Sequence, residues 1–265
     1  MSVARNGDVR IAYESRGDGP PVLFVQGLGY DRRGWGPLPD LLAGEFRVLL
    51  LDNRGVGESD FPPGPYTVAQ LAADAVAALD AAGVEHAHVL GLSLGGYVAQ
   101  EIALSYPERV ERLVLCSTSP GGPNQYPMPA VGVEAFGRFP TLEREAGLRL
   151  MVENSLGRRA VRERPELVDE VYAYRLERAP PLEAWRAQLA AALAFDSFDR
   201  LREIAAATLV LHGGGDTVID VRNGELLVER IPNAQLRFVP DRGHLLVWEE
   251  PELVAPIVRD FLHSS

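Results

Sequence analysis

The stretch "HVLGLSLGGYVAQ", residues 88–100, places glycines on both sides of one serine. Gly91 lies two residues before Ser93, Gly95 lies two residues after it, and Gly96 follows directly. Glycine loses more backbone entropy on folding than any other residue, so three of them here need a local reason. An apolar run precedes the serine, and an apolar pattern with helical spacing follows it. We therefore predict a strand that ends at Ser93, a tight turn, and a helix that begins directly after it.

A serine at such a junction is well placed to act as a nucleophile. Small residues two before and two after it let the strand and the helix pass each other without Cβ clashes. Its hydroxyl then projects from the carboxyl end of the sheet, where open α/β folds bind their ligands. The helix N-terminus offers free N–H groups to a developing oxyanion. We predict that Ser93 is a nucleophile; the alternative is a serine in a glycine turn without chemistry.

A nucleophilic serine needs a base, and the sequence offers five histidines. His86 and His88 precede or lie in the strand that leads to Ser93. His212 falls within a predicted strand and is expected to pack there, and His263 lies three residues from the end. His244 follows the last predicted strand in the loop "PDRGHLLVWEEPE", on the rim where Ser93 is expected. We predict that His244 is the general base.

The base needs an acid to orient its ring, and three aspartates come into question. Asp216 in "LHGGGDTVID" lies just past the carboxyl end of its predicted strand. Asp220 is expected to cap the following helix, and Asp241 to be a turn residue. We predict Asp216 as the acid, because the order serine, acid, histidine along the chain is typical of this triad on an α/β sheet.

Two backbone N–H groups are the expected donors to the oxyanion. One is that of Leu94, directly after Ser93, and the other is that of Leu28, in the loop that follows "VLFVQG". Backbone donors do not depend on side-chain identity, so leucine is acceptable at both positions. No cofactor or metal is implied, and no Cys/His cluster has the spacing of zinc ligands.

Strands and helices alternate along most of the chain, which predicts an α/β fold with a mostly parallel, doubly wound sheet of about eight strands. The first two strands are expected to form a hairpin around Asn6-Gly7. Between about Pro120 and Arg202 no strand is predicted. The stretch "GGPNQYPMPAVG", residues 121–132, is interpreted as a loop, and helices are predicted in "TLEREAGLRLMVENSL", "RPELVDEVYAYRLERA" and "PLEAWRAQLAAALAF". We therefore assign residues 1–119 and 203–265 to an α/β core, and residues 120–202 to an inserted helical cap.

Composition narrows the function classes. The chain has 265 residues, of which 46% are hydrophobic, and a net charge of −11. That charge argues against nucleic acids and anionic membranes as partners, and no apolar run is long enough to span a bilayer. The single Cys116 and a first segment without an apolar core predict a reducing, cytoplasmic setting. A monomer or a homodimer is expected. All 26 basic residues are arginine, which codon bias or adaptation to heat would explain.

Four motifs in order, "QGLG", "DNRGVGESD", "GLSLGG" and "GGGD…RGH", resemble the α/β-hydrolase superfamily over essentially the whole chain. The second resembles the family's structural rim turn, which has no catalytic part; it is formed here by Asp52, Arg54, Gly55, Gly57 and Ser59. The family often has histidine where this chain has Gln26, an amide that can still hold the oxyanion loop. The resemblance implies a helical cap and the branch of small-molecule carboxylesterases, enol-lactonase-like enzymes and carbon–carbon bond hydrolases.

The predicted function is hydrolysis of small carboxylic esters through an acyl-enzyme. Two alternatives stay open: cleavage of a carbon–carbon bond or an enol-lactone, and a ligand-binding receptor with a slow vestigial site. Substrate contacts are expected from apolar residues of the cap, each of which could instead be helix-packing core. The candidates are Met128, Phe136, Leu150, Met151, Tyr172, Tyr174, Trp185 and Leu189. Arg158, Arg159 and Arg162 could meet a carboxylate, but a solvated helix face is the favoured interpretation.

Overall fold

Eight strands form a single sheet in the computed structural model, which describes residues 1–264. The strands are β1 (Ser2–Asn6), β2 (Val9–Arg16), β3 (Pro21–Val25), β4 (Arg47–Leu51), β5 (Ala87–Leu92), β6 (Val110–Cys116), β7 (Ala207–Gly213) and β8 (Ala234–Val239). Their order in the sheet is β1-β2-β4-β3-β5-β6-β7-β8. Strand β2 runs antiparallel to both neighbours and all other pairs are parallel. The predicted α/β class with a mostly parallel sheet is confirmed.

The first hairpin turns one residue later than its sequence signal suggests. Asn6 pairs with Val9, so the two turn residues are Gly7 and Asp8. Gly7 has φ of 59°, a left-handed conformation that costs glycine little because it has no Cβ. The position of the turn is therefore determined by Gly7, whereas Asn6 belongs to the strand before it.

Eleven α-helices accompany the sheet within residues 1–264. They are α1 (Leu38–Leu42), α2 (Val68–Ala81), α3 (Leu94–Ser105), α4 (Ala130–Arg138), α5 (Arg144–Ser155), α6 (Arg158–Glu163), α7 (Pro165–Arg178), α8 (Leu182–Ala194), α9 (Arg222–Arg230), α10 (Leu246–Glu249) and α11 (Pro251–His263). Helix α2 begins with a capping box, in which Thr67 Oγ1 accepts the Gln70 N–H at 3.1 Å and Gln70 Oε1 accepts the Thr67 N–H at 3.0 Å. In the part of the chain described, no helix combines the length and the apolar character needed to cross a bilayer.

Five helices, α4–α8, lie between β6 and β7, where the sequence predicts an all-helical insertion. The only strand-like feature of that stretch within the described residues is an isolated bridge between Gly121 and Asp196. The sequence patterns located α5, α7 and α8. Helix α6 was not predicted, and α4 begins at Ala130, inside the stretch interpreted as a loop.

The sheet buries apolar side chains on both faces. Along β3, Leu23 and Val25 belong to one buried cluster, whereas Val22 and Phe24 belong to the other. Successive side chains of a strand point to opposite faces, so this division places one core on each side of the sheet. The central strands are therefore inaccessible along their length, and their carboxyl ends are where a site can open.

Candidate active site

Ser93 lies between the last residue of β5 and the first residue of α3. Its φ of 55° and ψ of −119° are a backbone conformation that non-glycine residues rarely adopt. Three hydrogen bonds fix it: its N–H donates to the Cys116 carbonyl at 2.9 Å, and its own carbonyl accepts from Thr118 Oγ1 and from the Gly96 N–H, both at 2.8 Å. Strain held in this way by the surrounding structure is typical of functional positions.

The glycines around Ser93 are required by close backbone approach. A Cβ on Gly91 would overlap the carbonyl oxygen of Gly95, and a Cβ on Gly95 would overlap that of Val25. A Cβ on Gly96 would lie only 2.5 Å from the Thr118 side chain. Helix α3 thus begins in contact with the loop after β3, which brings that loop beside Ser93.

Asp216 is placed by the turn that follows β7. Its N–H donates to the Gly213 carbonyl at 3.2 Å, and its Oδ1 accepts the N–H groups of Val218 and Ile219 at 2.8 and 2.9 Å. These bonds fix the carboxylate and leave Oδ2 for other partners. The side chain is buried.

His244 lies in the loop between β8 and α10, and its Nδ1 is 2.9 Å from Asp216 Oδ2. A carboxylate at this distance makes Nδ1 the protonated nitrogen and leaves Nε2 as the acceptor. The Leu245 N–H donates to the Ser155 carbonyl at 3.0 Å, and the Gly243 N–H donates to Glu249 Oε1 at 2.7 Å. The loop is therefore held on both sides of the imidazole.

His212, which the sequence analysis assigned to strand packing, is buried on β7 but also contacts Asp216. Its Nε2 lies 3.4 Å from Asp216 Oδ2 and 3.2 Å from the Ile219 carbonyl oxygen. Burial by itself raises the pKa of the Asp216 carboxyl. The charge of His244 and hydrogen bonds from both histidines outweigh it, so the pKa of Asp216 lies below its usual range. Asp216 is therefore ionised at neutral pH.

The remaining histidines and acids lie apart from this group. His88 is buried on β5, and its Nε2 is 3.3 Å from Glu111. His86 reaches the same glutamate at 3.2 Å, and His263 is 3.1 Å from Glu45. Asp220 accepts the Arg222 N–H at 3.0 Å, at the start of α9, and Asp241 has φ of 58° in the turn after β8.

Ser93 and His244 line the same cavity, whose volume is about 110 Å³. Most of its wall is apolar or aromatic. The lining residues are Gly27, Leu28, Tyr30, Leu92, Ser93, Phe136, Phe139, Leu148, Met151, Val152, Ser155, Arg175, Trp185, Val218, His244 and Leu245. The cavity thus lies between the carboxyl end of the sheet and helices α4, α5, α7 and α8.

Of the expected substrate contacts, Phe136, Met151 and Trp185 line this cavity. Met128, Leu150, Tyr172, Tyr174 and Leu189 are not among its lining residues. Tyr172 has the guanidinium of Arg149 over its ring at 5.5 Å, and the Tyr174 hydroxyl donates to Asp31 Oδ1 at 3.0 Å. Apolar character at helical spacing could not separate the cavity-facing side of these helices from the side that packs elsewhere.

Leu94 directly follows the predicted nucleophile, and Leu28 lines the same cavity as Ser93. Leu94 is the first residue of α3, and the loop after β3 passes so close that a Cβ on Gly27 would be 3.1 Å from Ser93 Cβ. Within residues 1–264 neither N–H has a protein acceptor. Gln26, buried beside them, accepts the Gly27 N–H through Oε1 at 2.6 Å. An unpaired N–H at each position is what the predicted oxyanion site requires.

The arginines of α6 face a different space. Arg158, Arg159 and Arg162 line an open cleft beside Gly214–Thr217 rather than the cavity that contains Ser93. Arg159 and Arg162 both pair with Glu163 at 2.8 Å. All three arginines are exposed, as expected for the solvated helix face that the sequence analysis favoured.

Two polar residues of the inserted helices contact the loop after β3 and were not expected there. Arg175 of α7 is buried and lines the cavity; one of its nitrogens donates to the Gly29 carbonyl, and its guanidinium lies 4.1 Å from the ring centre of Tyr30. Gln188 of α8 is fully buried behind the same loop, and its Oε1 accepts the Gly29 N–H at 2.9 Å. Neither residue belongs to a motif, so the sequence held no local signal for them.

Comparisons with known proteins agree with this architecture. The chain matches the family model described as alpha/beta hydrolase fold over residues 20–251. It is 33% identical over 273 residues to a 2-hydroxy-6-oxononadienedioate/2-hydroxy-6-oxononatrienedioate hydrolase from Paraburkholderia xenovorans, covering 97% of this chain and 92% of that protein. A thermophilic esterase from Thermogutta terrifontis superimposes with a TM-score of 0.84 and 31% identity, covering 99% and 97% of the two chains. The enol-lactonase from Burkholderia xenovorans superimposes with a TM-score of 0.87 and 25% identity, covering 99% of this chain and 100% of that chain.

Proposed function

We infer that this chain, which belongs to the α/β-hydrolase family, is a serine hydrolase that cleaves small carboxylic esters through an acyl-enzyme on Ser93. One observation supports the proposal above all others. His244 is hydrogen-bonded through Nδ1 to the ionised Asp216 at 2.9 Å, and it lines the same cavity as the strained Ser93. A base with its orienting acid, in the same cavity as a serine, is the set of groups that activates a serine hydroxyl.

The proposed reaction has two halves. Nε2 of His244 takes the Ser93 proton as Oγ attacks the ester carbonyl, and the N–H groups of Leu28 and Leu94 donate to the resulting oxyanion. The imidazolium then protonates the leaving alkoxide, which departs and leaves the acyl group on Ser93. Water deprotonated by His244 attacks that acyl group, and Ser93 is released with the free acid. Asp216 holds the tautomer and stabilises the imidazolium throughout.

The size of the cavity supports a short acyl group. Its volume of about 110 Å³ is smaller than an engineered apolar cavity of about 150 Å³ that holds benzene. The wall is aromatic and aliphatic, and the insertion between β6 and β7 contributes Phe136, Phe139 and Trp185 to it. We propose that residues 120–202 form a cap over the sheet and that the cap limits the acyl length.

The test is hydrolysis of p-nitrophenyl acetate, butyrate, octanoate and palmitate by the wild-type protein and by Ser93→Ala. We expect turnover that peaks on the short esters and falls by several powers of ten in Ser93→Ala. Equal rates for the two proteins would remove Ser93 from the mechanism. A peak at palmitate would contradict a cavity as small as about 110 Å³.

A second candidate reaction, cleavage of a carbon–carbon bond or an enol-lactone, is favoured by Arg175. The partners of this buried guanidinium, the Gly29 carbonyl and the Tyr30 ring, are both uncharged. A buried cation is costly unless it is paired, so a substrate carboxylate in the cavity would stabilise it. One relative is named as a hydrolase of a dicarboxylate, oxononadienedioate, and a structural neighbour is named as an enol-lactonase. Ser93-dependent turnover of an enol-lactone acid, with poor turnover of simple esters, would select this reaction.

A ligand-binding receptor with a slow vestigial site is the alternative outside enzymes. Tight binding of a small ester or lactone, with negligible turnover by folded wild-type protein, would select it.

We also propose a cytoplasmic location. The single cysteine, Cys116, is buried and free, which is compatible with that location.

A further inference from the structure

The oxyanion loop, residues 26–31, is held by side chains that come from the inserted helices. Arg175 of α7 donates to the Gly29 carbonyl, and Gln188 of α8 accepts the Gly29 N–H at 2.9 Å. The Tyr174 hydroxyl donates to Asp31 Oδ1 at 3.0 Å. Both polar groups of Gly29 are therefore satisfied by α7 and α8 rather than by the sheet that the loop follows.

Gln188, unlike Arg175, does not line the cavity that contains Ser93. It is fully buried, and both ends of its amide are used: Oε1 accepts from Gly29, and Nε2 donates to the Arg54 carbonyl at 2.8 Å. It thus ties the oxyanion loop to the turn after β4. A buried amide with both ends paired has one orientation available, since any rotation would leave polar groups without partners.

The loop needs such a restraint at this place. Gly29 has φ of 71°, and glycine has the widest choice of backbone conformations of any residue. The Gly29 N–H belongs to the peptide unit that directly follows Leu28. The Leu28 N–H lies in the preceding peptide unit, which is joined to this one only through the φ and ψ bonds of Leu28, so fixing one unit restricts the orientations open to the other.

We propose that Gln188 is a positioning residue for the oxyanion site: by fixing the peptide between Leu28 and Gly29, it holds the Leu28 N–H toward the reacting carbonyl. This inference rests on the proposed function. Gln188 makes no contact with substrate and acts only through the loop. The inserted helices would then contribute to the rate of the chemical step as well as to the choice of substrate.

If Gln188 only stabilised the fold, its replacement would lower Tm and leave kcat unchanged. Asn223 is a matched control for that case. Asn223 of α9 is buried and makes the same pair of bonds to one residue, accepting the Tyr126 N–H at 2.8 Å and donating to the Tyr126 carbonyl at 3.0 Å. Neither Asn223 nor Tyr126 lines the cavity. Removing either buried amide breaks two hydrogen bonds to the backbone, but only the Gln188 amide holds the oxyanion loop.

The experiment compares Gln188→Met and Asn223→Leu with the wild type. We measure kcat and KM on p-nitrophenyl butyrate, the inhibition constant of a trifluoromethyl ketone with the same acyl length, and Tm. We expect Gln188→Met to lower kcat roughly 10–100-fold with KM within about threefold, because the misplaced donor stabilises only the transition state. The ketone, which forms an oxyanion adduct on serine, should lose affinity by a similar factor. Asn223→Leu should lower Tm and leave kcat and the inhibition constant unchanged.

Other results would overturn the inference. If Gln188→Met lowers Tm and keeps the wild-type kcat, Gln188 stabilises the fold and does not position the donor. Equal losses of kcat in both variants would have the same meaning. If Gln188→Met does not fold, Gln188→Asn, whose shorter amide cannot reach both Gly29 and Arg54, is measured instead with the same expected result. An inactive wild type would contradict the proposed function itself, and this inference with it.

Discussion

The two carboxylate oxygens of Asp216 have separate partners, and this division explains how one acid serves the site. Oδ1 accepts two backbone N–H groups and so fixes the side chain, while Oδ2 faces His244 and His212. Burial raises the pKa of Asp216, but the charge of His244 and the hydrogen bonds from both histidines outweigh it and hold that pKa below its usual range. In the proposed mechanism the acid therefore stays charged when His244 takes the serine proton. A charged acceptor at Nδ1 is what the imidazolium requires.

Replacement of Asp216 tests its assignment against the two other aspartates considered. We expect Asp216→Asn to lower kcat on p-nitrophenyl butyrate by roughly 10⁴-fold, since an amide no longer enforces the tautomer with a free Nε2. Asp220→Asn and Asp241→Asn should keep kcat within about twofold, as neither side chain contacts His244 and asparagine tolerates the positive φ at 241. A comparable loss in either control, or near-normal kcat in Asp216→Asn, would reassign the acid.

At the residue scale the sequence located the group Ser93, Asp216 and His244 because each candidate follows a strand. The carboxyl ends of parallel strands share one edge of the sheet, so the position of each residue after a strand was sufficient to predict that the three lie close together. Arg175 and Gln188 could not be found in that way. Their positions depend on how α7 and α8 pack against the oxyanion loop, which is a tertiary property without a local pattern.

At the element scale the strand–turn–helix unit around Ser93 is determined by backbone approach. The carbonyl oxygens of Gly95 and Val25 occupy the places where Cβ atoms of Gly91 and Gly95 would be. Backbone atoms cannot rotate away as a flexible side chain can, so β5, α3 and the loop after β3 have one mutual arrangement. The sequence predicted the turn because Gly91 and Gly95, which meet across it, are only four residues apart.

Gly95→Ala should therefore destabilise the protein strongly. We expect the free energy of unfolding to fall by at least about 3 kcal/mol, because the methyl group must displace the Val25 backbone. Gly44→Ala is the control, since nothing lies within 4 Å of the added Cβ, and should change the free energy of unfolding by less than about 1 kcal/mol. Denaturant unfolding measures both. Equal stability of the two variants would show that α3 does not depend on the close approach.

The helices that were missed have weak local signals. Helix α4 contains Gly132 and Gly137, which lower helix propensity, and it follows a proline-containing stretch that resembles a loop. Helix α6 has six residues, too few to display a periodic apolar pattern. In both segments, packing among the inserted helices selects the helical conformation.

At the scale of the whole molecule, the sheet and the inserted helices meet at both sides of the site. On one side Gln188 and Arg175 hold the oxyanion loop. On the other side the buried Glu249 accepts the N–H groups of Gly157, before α6, and of Gly243, beside His244, at 2.9 and 2.7 Å. The alternation of strands and helices predicted the layers of this architecture. It could not predict these two connections, because each joins segments far apart in the chain.

The central claim, that Ser93 is the nucleophile of this site, is tested most directly by trapping it. Wild-type protein and Ser93→Ala are treated with diethyl p-nitrophenyl phosphate, and the modified peptide is identified by tandem mass spectrometry. We predict one diethylphosphoryl group per wild-type chain, on Ser93, with loss of esterase activity in proportion, and no label on Ser93→Ala. A label on another serine, or an unmodified wild-type protein that still hydrolyses p-nitrophenyl butyrate, would contradict the account.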